Sequence, residues 1–166
     1  KFQATVKQDV NLGFGKWIYI LQGGFTLGSV PYPLLDIPAG SESYGYSYDK
    51  FSLLYSVEYA ADKFLLMHND LITDGLLFNQ IPVIKHLNLR EMFSFKILYG
   101  GLRDAHKNIL DYPDFVYPVN NPYMEIGVGI ANIFRVLYLQ SVWRLSDTAR
   151  PGTTRWGILG NLRISL

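Results

Sequence analysis

Apolar and polar residues alternate along most of this chain, and a period of two belongs to strands with one apolar face. Phe2, Ala4, Val6, Val10 and Leu12 fall on one face, with Gln3, Thr5, Lys7, Asp9 and Asn11 on the other. After Gly13-Phe14-Gly15 the apolar set is Trp17, Tyr19, Leu21, Phe25 and Leu27, opposed by Lys16, Gln22, Gly24 and Thr26. Further on, Phe51, Leu53, Tyr55, Val57, Tyr59 and Ala61 oppose Ser52, Leu54, Ser56, Glu58, Ala60 and Asp62. Leu89 to Gly100, Met124 to Ala131, Leu137 to Ser146 and Trp156 to Leu166 continue the pattern. Lys63 to Leu76 fits either a strand or one helical face, and its start directly after the Asp62-Lys63 corner favours the strand. The result is eight long strands, with Pro33 to Tyr46 as a candidate ninth. Tight turns at 13–15 and 132–135 alternate with long connections at 28–49 and 103–121, as in an antiparallel up-and-down meander. No domain boundary, repeat or low-complexity tract is visible, so 1–166 reads as a single β-barrel domain or a C-terminal barrel segment.

Alternation identifies an apolar face without saying whether it lines a core or meets lipid. A lipocalin-like soluble barrel is apolar inside. An outer-membrane barrel turns its apolar band outward around a polar lumen. Four features favour the second arrangement. The runs last roughly ten to thirteen residues, where a tilted bilayer crossing needs ~9–11 and ordinary strands average ~5–6. The polar faces carry Gly, Ser, Ala, Gln and Asn in place of the Lys and Glu of a soluble surface. Aromatics (Trp17, Tyr19, Tyr99, Tyr123, Trp156) recur near strand ends, as interfacial girdles do. Charged residues are only 17% of the chain, against a usual ~25%. The expected fold is therefore all-β, an antiparallel transmembrane β-barrel with eight or nine strands here. Both ends fall within alternating runs, as expected of the C-terminal part of a larger barrel.

Composition excludes several other classes. With 49% hydrophobic residues the chain is not of the disordered type, and 15 Lys+Arg against 14 Asp+Glu leave no nucleic-acid footprint. No run approaches the ~18 apolar residues of a membrane-spanning helix. Cysteine is absent, which removes disulfides, thiolate metal sites and a Cys nucleophile.

Two stretches carry a family resemblance. Phe78-Asn79-Gln80-Ile81-Pro82-Val83-Ile84-Lys85-His86-Leu87-Asn88-Leu89-Arg90-Glu91 is one. The other is Pro122-Tyr123-Met124-Glu125-Ile126-Gly127-Val128-Gly129-Ile130-Ala131-Asn132-Ile133-Phe134, followed by Val142-Trp143-Arg144-Leu145. Both resemble motifs of a Bacteroidota outer-membrane family. Its longer members join an N-terminal carboxypeptidase-regulatory-like β-sandwich to a C-terminal barrel of unknown function. That barrel is similar to the BamA-like surface-antigen superfamily of assembly and translocation proteins. The resemblance implies a non-enzymatic barrel in the bacterial outer membrane, in contact with lipid and with other outer-membrane or periplasmic proteins. It also implies that residues 28–49 fold back into the lumen. In BamA-like barrels an Arg of a Gly-Gly…Arg-Gly-Phe/Tyr loop pairs there with a barrel carboxylate, whereas here Tyr44 precedes Gly45-Tyr46. The family's last strand ends on an aromatic; this chain stops at Leu166.

Chemistry-bearing motifs are sparse. His68, Asp70 and Asp74 share a face if Lys63 to Leu76 is a strand, but spacing fixes no third or fourth metal ligand, and a polar lumen accounts for them. His86 and His106 fall in turns and loops. Gly127-Val128-Gly129 lacks the third glycine and crossover helix of a dinucleotide loop, and its glycines give room in the lumen. No Gly-x-Ser-x-Gly elbow or Walker loop occurs, and no cofactor is expected. The remaining candidates are lumen-lining charges: Lys7, Asp9, Glu58, Arg90, Lys96, Glu125, Arg144 and Arg163. Pairing across neighbouring strands is their expected state, because an unpaired charge in a crowded lumen is costly. A soluble lipocalin-like barrel holding an apolar small molecule is the alternative. A small enzyme grafted on a membrane barrel is a further one, against which the missing triad motifs count.

Overall fold

The alternating segments form seven long strands: β1 (Phe2–Asn11), β2 (Gly15–Phe25), β4 (Lys63–Thr73), β5 (Arg90–Gly101), β7 (Tyr123–Ile133), β8 (Leu137–Arg144) and β9 (Trp156–Leu162). They make one antiparallel sheet in the order β1-β2-β4-β5-β7-β8-β9. Two short strands, β3 (Tyr59–Ala60) and β6 (Tyr117–Pro118), pair in parallel beside it. The computed structural model describes residues 1–28, 30–41, 43–103, 116–119, 121–150 and 152–162. Arg163, His106 and most of the 103–121 connection lie outside them.

The meander is the expected one, but the strand count differs. Phe51 to Asp62 is not a long strand: only Tyr59 and Ala60 form a strand, Ala61 adds a single bridge, and residues 51–58 are turns, bends and irregular chain. Alternation misleads there because Phe51, Ser52, Leu53 and Leu54 are all buried, whatever their parity. The segment is surrounded by protein instead of lying between two faces. Pro33 to Tyr46 is not a ninth strand either. It holds a short 3₁₀ turn (Tyr32–Leu34) and two single bridges, Asp36 with Ala61 and Gly45 with Gly160. Lys63–Thr73, open to two readings from its sequence, is a strand.

The sheet is not closed into a barrel. Among the described residues β1 pairs only with β2, and its residues are exposed on both faces. At the far side β9 pairs with β8, and its outer edge meets the long connection: the Tyr46 N–H donates to the Gly160 carbonyl (3.0 Å) and the Gly160 N–H to that of Tyr44 (2.9 Å).

Register decides what each face carries. One face holds the cross-strand row Gln8, Tyr19, Asn69, Phe95, Ile126, Trp143, Trp156 and the row Val6, Leu21, Met67, Ile97, Met124. This face is bare: Leu65 is 50% exposed, and Phe93, Phe95, Ile126, Val128, Trp143 and Ile158 are exposed with it. Residues 46–61 pack against the opposite face. There Phe51, Leu54 and Tyr59 join Phe64, Leu66, Leu98 and Tyr123 in one apolar cluster. Tyr46 and Leu53 join Ile18, Ile72, Met92, Val142 and Leu159 in another. Tyr123 thus belongs to the covered face, sharing parity with Glu125 and a row with Leu98, and is no girdle residue. The usual polarity is inverted, with the apolar face outward and the ionisable residues within.

Candidate functional site

Between the two apolar clusters runs one row of cross-strand neighbours on the covered face: Lys7, Ile20, His68, Lys96, Glu125 and Arg144. The next row holds Asp9, Ile18, Asp70, Ser94, Gly127 and Val142. The six long strands other than β9 thereby each contribute one side chain of that first row to a cradle beneath residues 46–58. Lys96 and Glu125 are each 1% exposed. Charges so far from water persist only when hydrogen bonds and opposite charges offset their desolvation.

The partners come from the folded-in connection, mostly from its backbone. The Lys96 ammonium donates to the Ser47 (2.7 Å) and Lys50 (2.5 Å) carbonyls and lies 4.6 Å from the Tyr46 ring centroid. The Glu125 carboxylate accepts the Ser52 (2.8 Å) and Leu53 (2.7 Å) N–H groups and the Tyr123 hydroxyl (2.5 Å). His68 Nδ1 lies 2.8 Å from the Tyr48 carbonyl. A carbonyl only accepts, so the imidazole carries its proton on Nδ1. The Tyr46 hydroxyl donates to Asp70. Burial and that carboxylate raise the Tyr46 phenol well above its ordinary value, which keeps it a donor.

One full ion pair closes the cradle. Arg144 forks onto Glu58, Nη2 to Oε1 at 2.6 Å and Nη1 to Oε2 at 3.2 Å, while its Nε donates to the Ser146 carbonyl at 3.0 Å. Its guanidinium lies 4.6 Å from the Tyr123 ring centroid. Beside it the Tyr59 hydroxyl donates to Asp147, which also pairs with Arg150 at 2.9 Å. Bidentate geometry of this kind is the strong form of a salt bridge.

Of the eight charges singled out from the sequence, Lys96, Glu125 and Arg144 form the cradle itself. Glu58 reaches it from the 51–58 segment, not from a strand face as alternation places it. Lys7 lies in the same row but is half-exposed, and it pairs with Asp49 of the connection at 2.7 Å. Asp9 pairs with Lys16 at 2.6 Å on an exposed part of β1 and β2, away from the cradle. Arg90 lies at the open end of β5, 3.4 Å from Asp74. His68 and Asp70, weighed from the sequence as metal ligands, are cradle members with protein partners, and Asp74 is at the turn beyond. Among the described residues no group of three His, Cys, Asp or Glu is placed to hold a metal ion. The parity of His68 and Asp70 on one strand was the signal that assigns them to this face. Tyr46 carries no such signal, because it sits in irregular chain.

Gly127 shows how tightly the cradle is built. Gln140 Nε2 donates to Ser94 Oγ at 2.6 Å across it, and a Cβ at 127 would run into both atoms. Gly127→Val is expected to cost about 1–3 kcal/mol through overpacking, read as a lower urea midpoint for the folded chain in detergent. An unchanged midpoint would mean that Gln140 moves aside freely.

The arrangement supplies charge pairing and backbone capture. It holds an irregular segment of chain against a sheet. Comparison with family models, with curated proteins and with solved structures gives no match.

Proposed function

We propose that this chain is the C-terminal section of an outer-membrane β-barrel of the BamA-like kind, with residues 30–58 folded into the lumen as a held plug. The apolar face meets lipid, and the cradle of His68, Lys96, Glu125 and Arg144 keeps the plug seated. Its role is non-enzymatic, in outer-membrane assembly or transport, beside other outer-membrane or periplasmic proteins. The Bacteroidota family whose motifs the chain resembles is the assignment that accompanies this reading.

The observation that carries it is the inversion of the faces. In water a sheet buries its apolar face and wets its polar one; here Phe95, Ile126 and Trp143 are exposed while Lys96, Glu125 and Arg144 are buried. Strand length supports the same reading. β1, β2, β4, β5 and β7 have 10, 11, 11, 12 and 11 residues, enough for a tilted crossing of ~9–11. The open edges fit a section of a larger barrel, because lipid tolerates no unpaired strand edge. Tyr46 and Asp70 take the place of the absent loop Arg, joining connection to wall by a phenol and a carboxylate.

Expressed with its natural flanking sequence, the protein is expected in the outer-membrane fraction, as a band that changes mobility when boiled. Recovery as a soluble, detergent-independent monomer would mean that the apolar face is covered by something other than lipid.

A further inference from the structure

Glu91 breaks the pattern of the outer face. By strand parity it stands with Phe93 and Phe95, and its row continues through Ile130 and Leu139. A carboxylate there would face lipid, yet Glu91 is buried and fully occupied. The Thr73 hydroxyl donates to it, as do the N–H groups of Leu76 (3.0 Å), Leu77 (2.8 Å) and Phe78 (2.8 Å). Those bonds pull the β4–β5 connection over the end of the outer face. Gly75 makes the bend possible with φ +81, where a side chain would also collide with Asn79.

The connection then presents apolar residues where a surface loop normally presents polar ones. Leu76, Leu77, Ile81 and Leu87 are exposed, and Val83 is 81% exposed. Beside it the β7–β8 turn holds Phe134 87% exposed at φ +50. Bulky residues rarely adopt this left-handed conformation, so the turn displays its aromatic at a conformational cost. Leu87, Leu89, Ile130 and Phe134 line a groove of about 460 Å³ that runs on from the outer face, with His86 and Arg135 also along it. Arg135, which lines the groove, and Lys85, next in sequence to the groove residue His86, make no ion pair among the described residues, whereas the acidic groups nearby are engaged, Asp74 with Arg90 and Glu91 with its four donors.

The geometry points to a phospholipid site at this end of the sheet: an acyl chain in the Leu87–Leu89–Ile130–Phe134 groove and an anionic headgroup at Lys85 and Arg135. The proposal rests on the membrane reading above and adds to it a built contact for a particular class of lipid. Continuity with the outer face selects lipid as the occupant, and the free cations select an anionic headgroup over a neutral one.

Because the chain has no cysteine, single spin labels test this directly. Leu87→Cys, Phe134→Cys and, as a mid-sheet reference, Phe95→Cys would be labelled in vesicles of phosphatidylethanolamine and phosphatidylglycerol. Oxygen should relax all three labels more than a water-soluble nickel chelate does. If Phe95 reads lipid while 87 and 134 are open to nickel, the collar lies in water and the site is overturned. If 87 and 134 are shielded from both probes, a protein covers them, which equally overturns lipid as the occupant. An aqueous Phe95 would defeat the membrane reading itself. For the headgroup, Lys85→Glu with Arg135→Glu should lower phosphatidylglycerol retained on the purified protein at least about fivefold, the weight of one basic residue at an anionic surface. Unchanged retention would remove the headgroup contact.

Discussion

Arg144→Met is expected to destabilise the folded chain by about 3–5 kcal/mol, the usual cost of breaking a buried ion pair from one side. The cost arises mainly from what stays behind. Glu58 is 6% exposed, and without Arg144 its nearest cation among the described residues is Arg150, with Nη1 at 3.9 Å. The Tyr123 ring loses the guanidinium packed on it. The double variant Arg144→Met/Glu58→Leu should recover much of the loss, since replacing both members of a buried pair with apolar residues is often neutral. Urea midpoints of the unsubstituted protein, Arg144→Met, Glu58→Leu and the double variant in detergent give the coupling energy, and amide exchange at Ser52 and Leu53 reports on the plug. In the single variant those amides should exchange faster, because Glu58 anchors the connection that Glu125 holds. Equal losses in the single and double variants would show that the pair contributes little and that packing around residues 46–58 carries the site.

Ile126→Arg is expected to cost about 2–4 kcal/mol in a bilayer, the penalty for a basic residue on the lipid face near the midplane. Ile126 stands in the row with Phe95 and Trp143, in the middle of the sheet. An exposed side chain on a soluble sheet would accept arginine almost without effect. Comparing Ile126→Arg with Ile126→Ala by folding into vesicles separates lost apolar area from lipid exposure. An arginine variant that folds as readily as the alanine variant would place this face in water. Val57 has the same place in the alternation but lies in the 51–58 segment, so it offers no such test.

The two predictions probe opposite faces of one sheet, and the faces differ in how far local pattern reveals them. Lys96 and Glu125 are separated from their apolar neighbours by parity alone, so their shared face was legible before any fold was known. Their partners were not. The Ser52 amide lies 73 residues from Glu125 in sequence, and Glu58 lies 86 from Arg144. Phe51 to Glu58 shows the converse failure. Its alternation matches that of the true strands, but its backbone bonds mostly to irregular chain, the Phe51 N–H to the Ala39 carbonyl and the Leu54 carbonyl to the Ser41 N–H, and the Glu125 carboxylate accepts two of its N–H groups. Glu91 is a third case: parity puts its charge on the apolar face, and only the turn at Gly75 encloses it.

The sequence by itself therefore determined the all-β class, the meander, the long strands and the split of each into an apolar and a polar face. These depend on residues two apart, and a period of two survives any tertiary arrangement. Tertiary structure alone decided that the described residues hold seven long strands in a sheet that stays open among them, and that the polar face is the covered one. It also decided which charges meet, because strand register and the path of residues 30–58 are set by contacts across the whole sheet. A one-residue shift in register would leave the alternation intact and dismantle the row of His68, Lys96, Glu125 and Arg144.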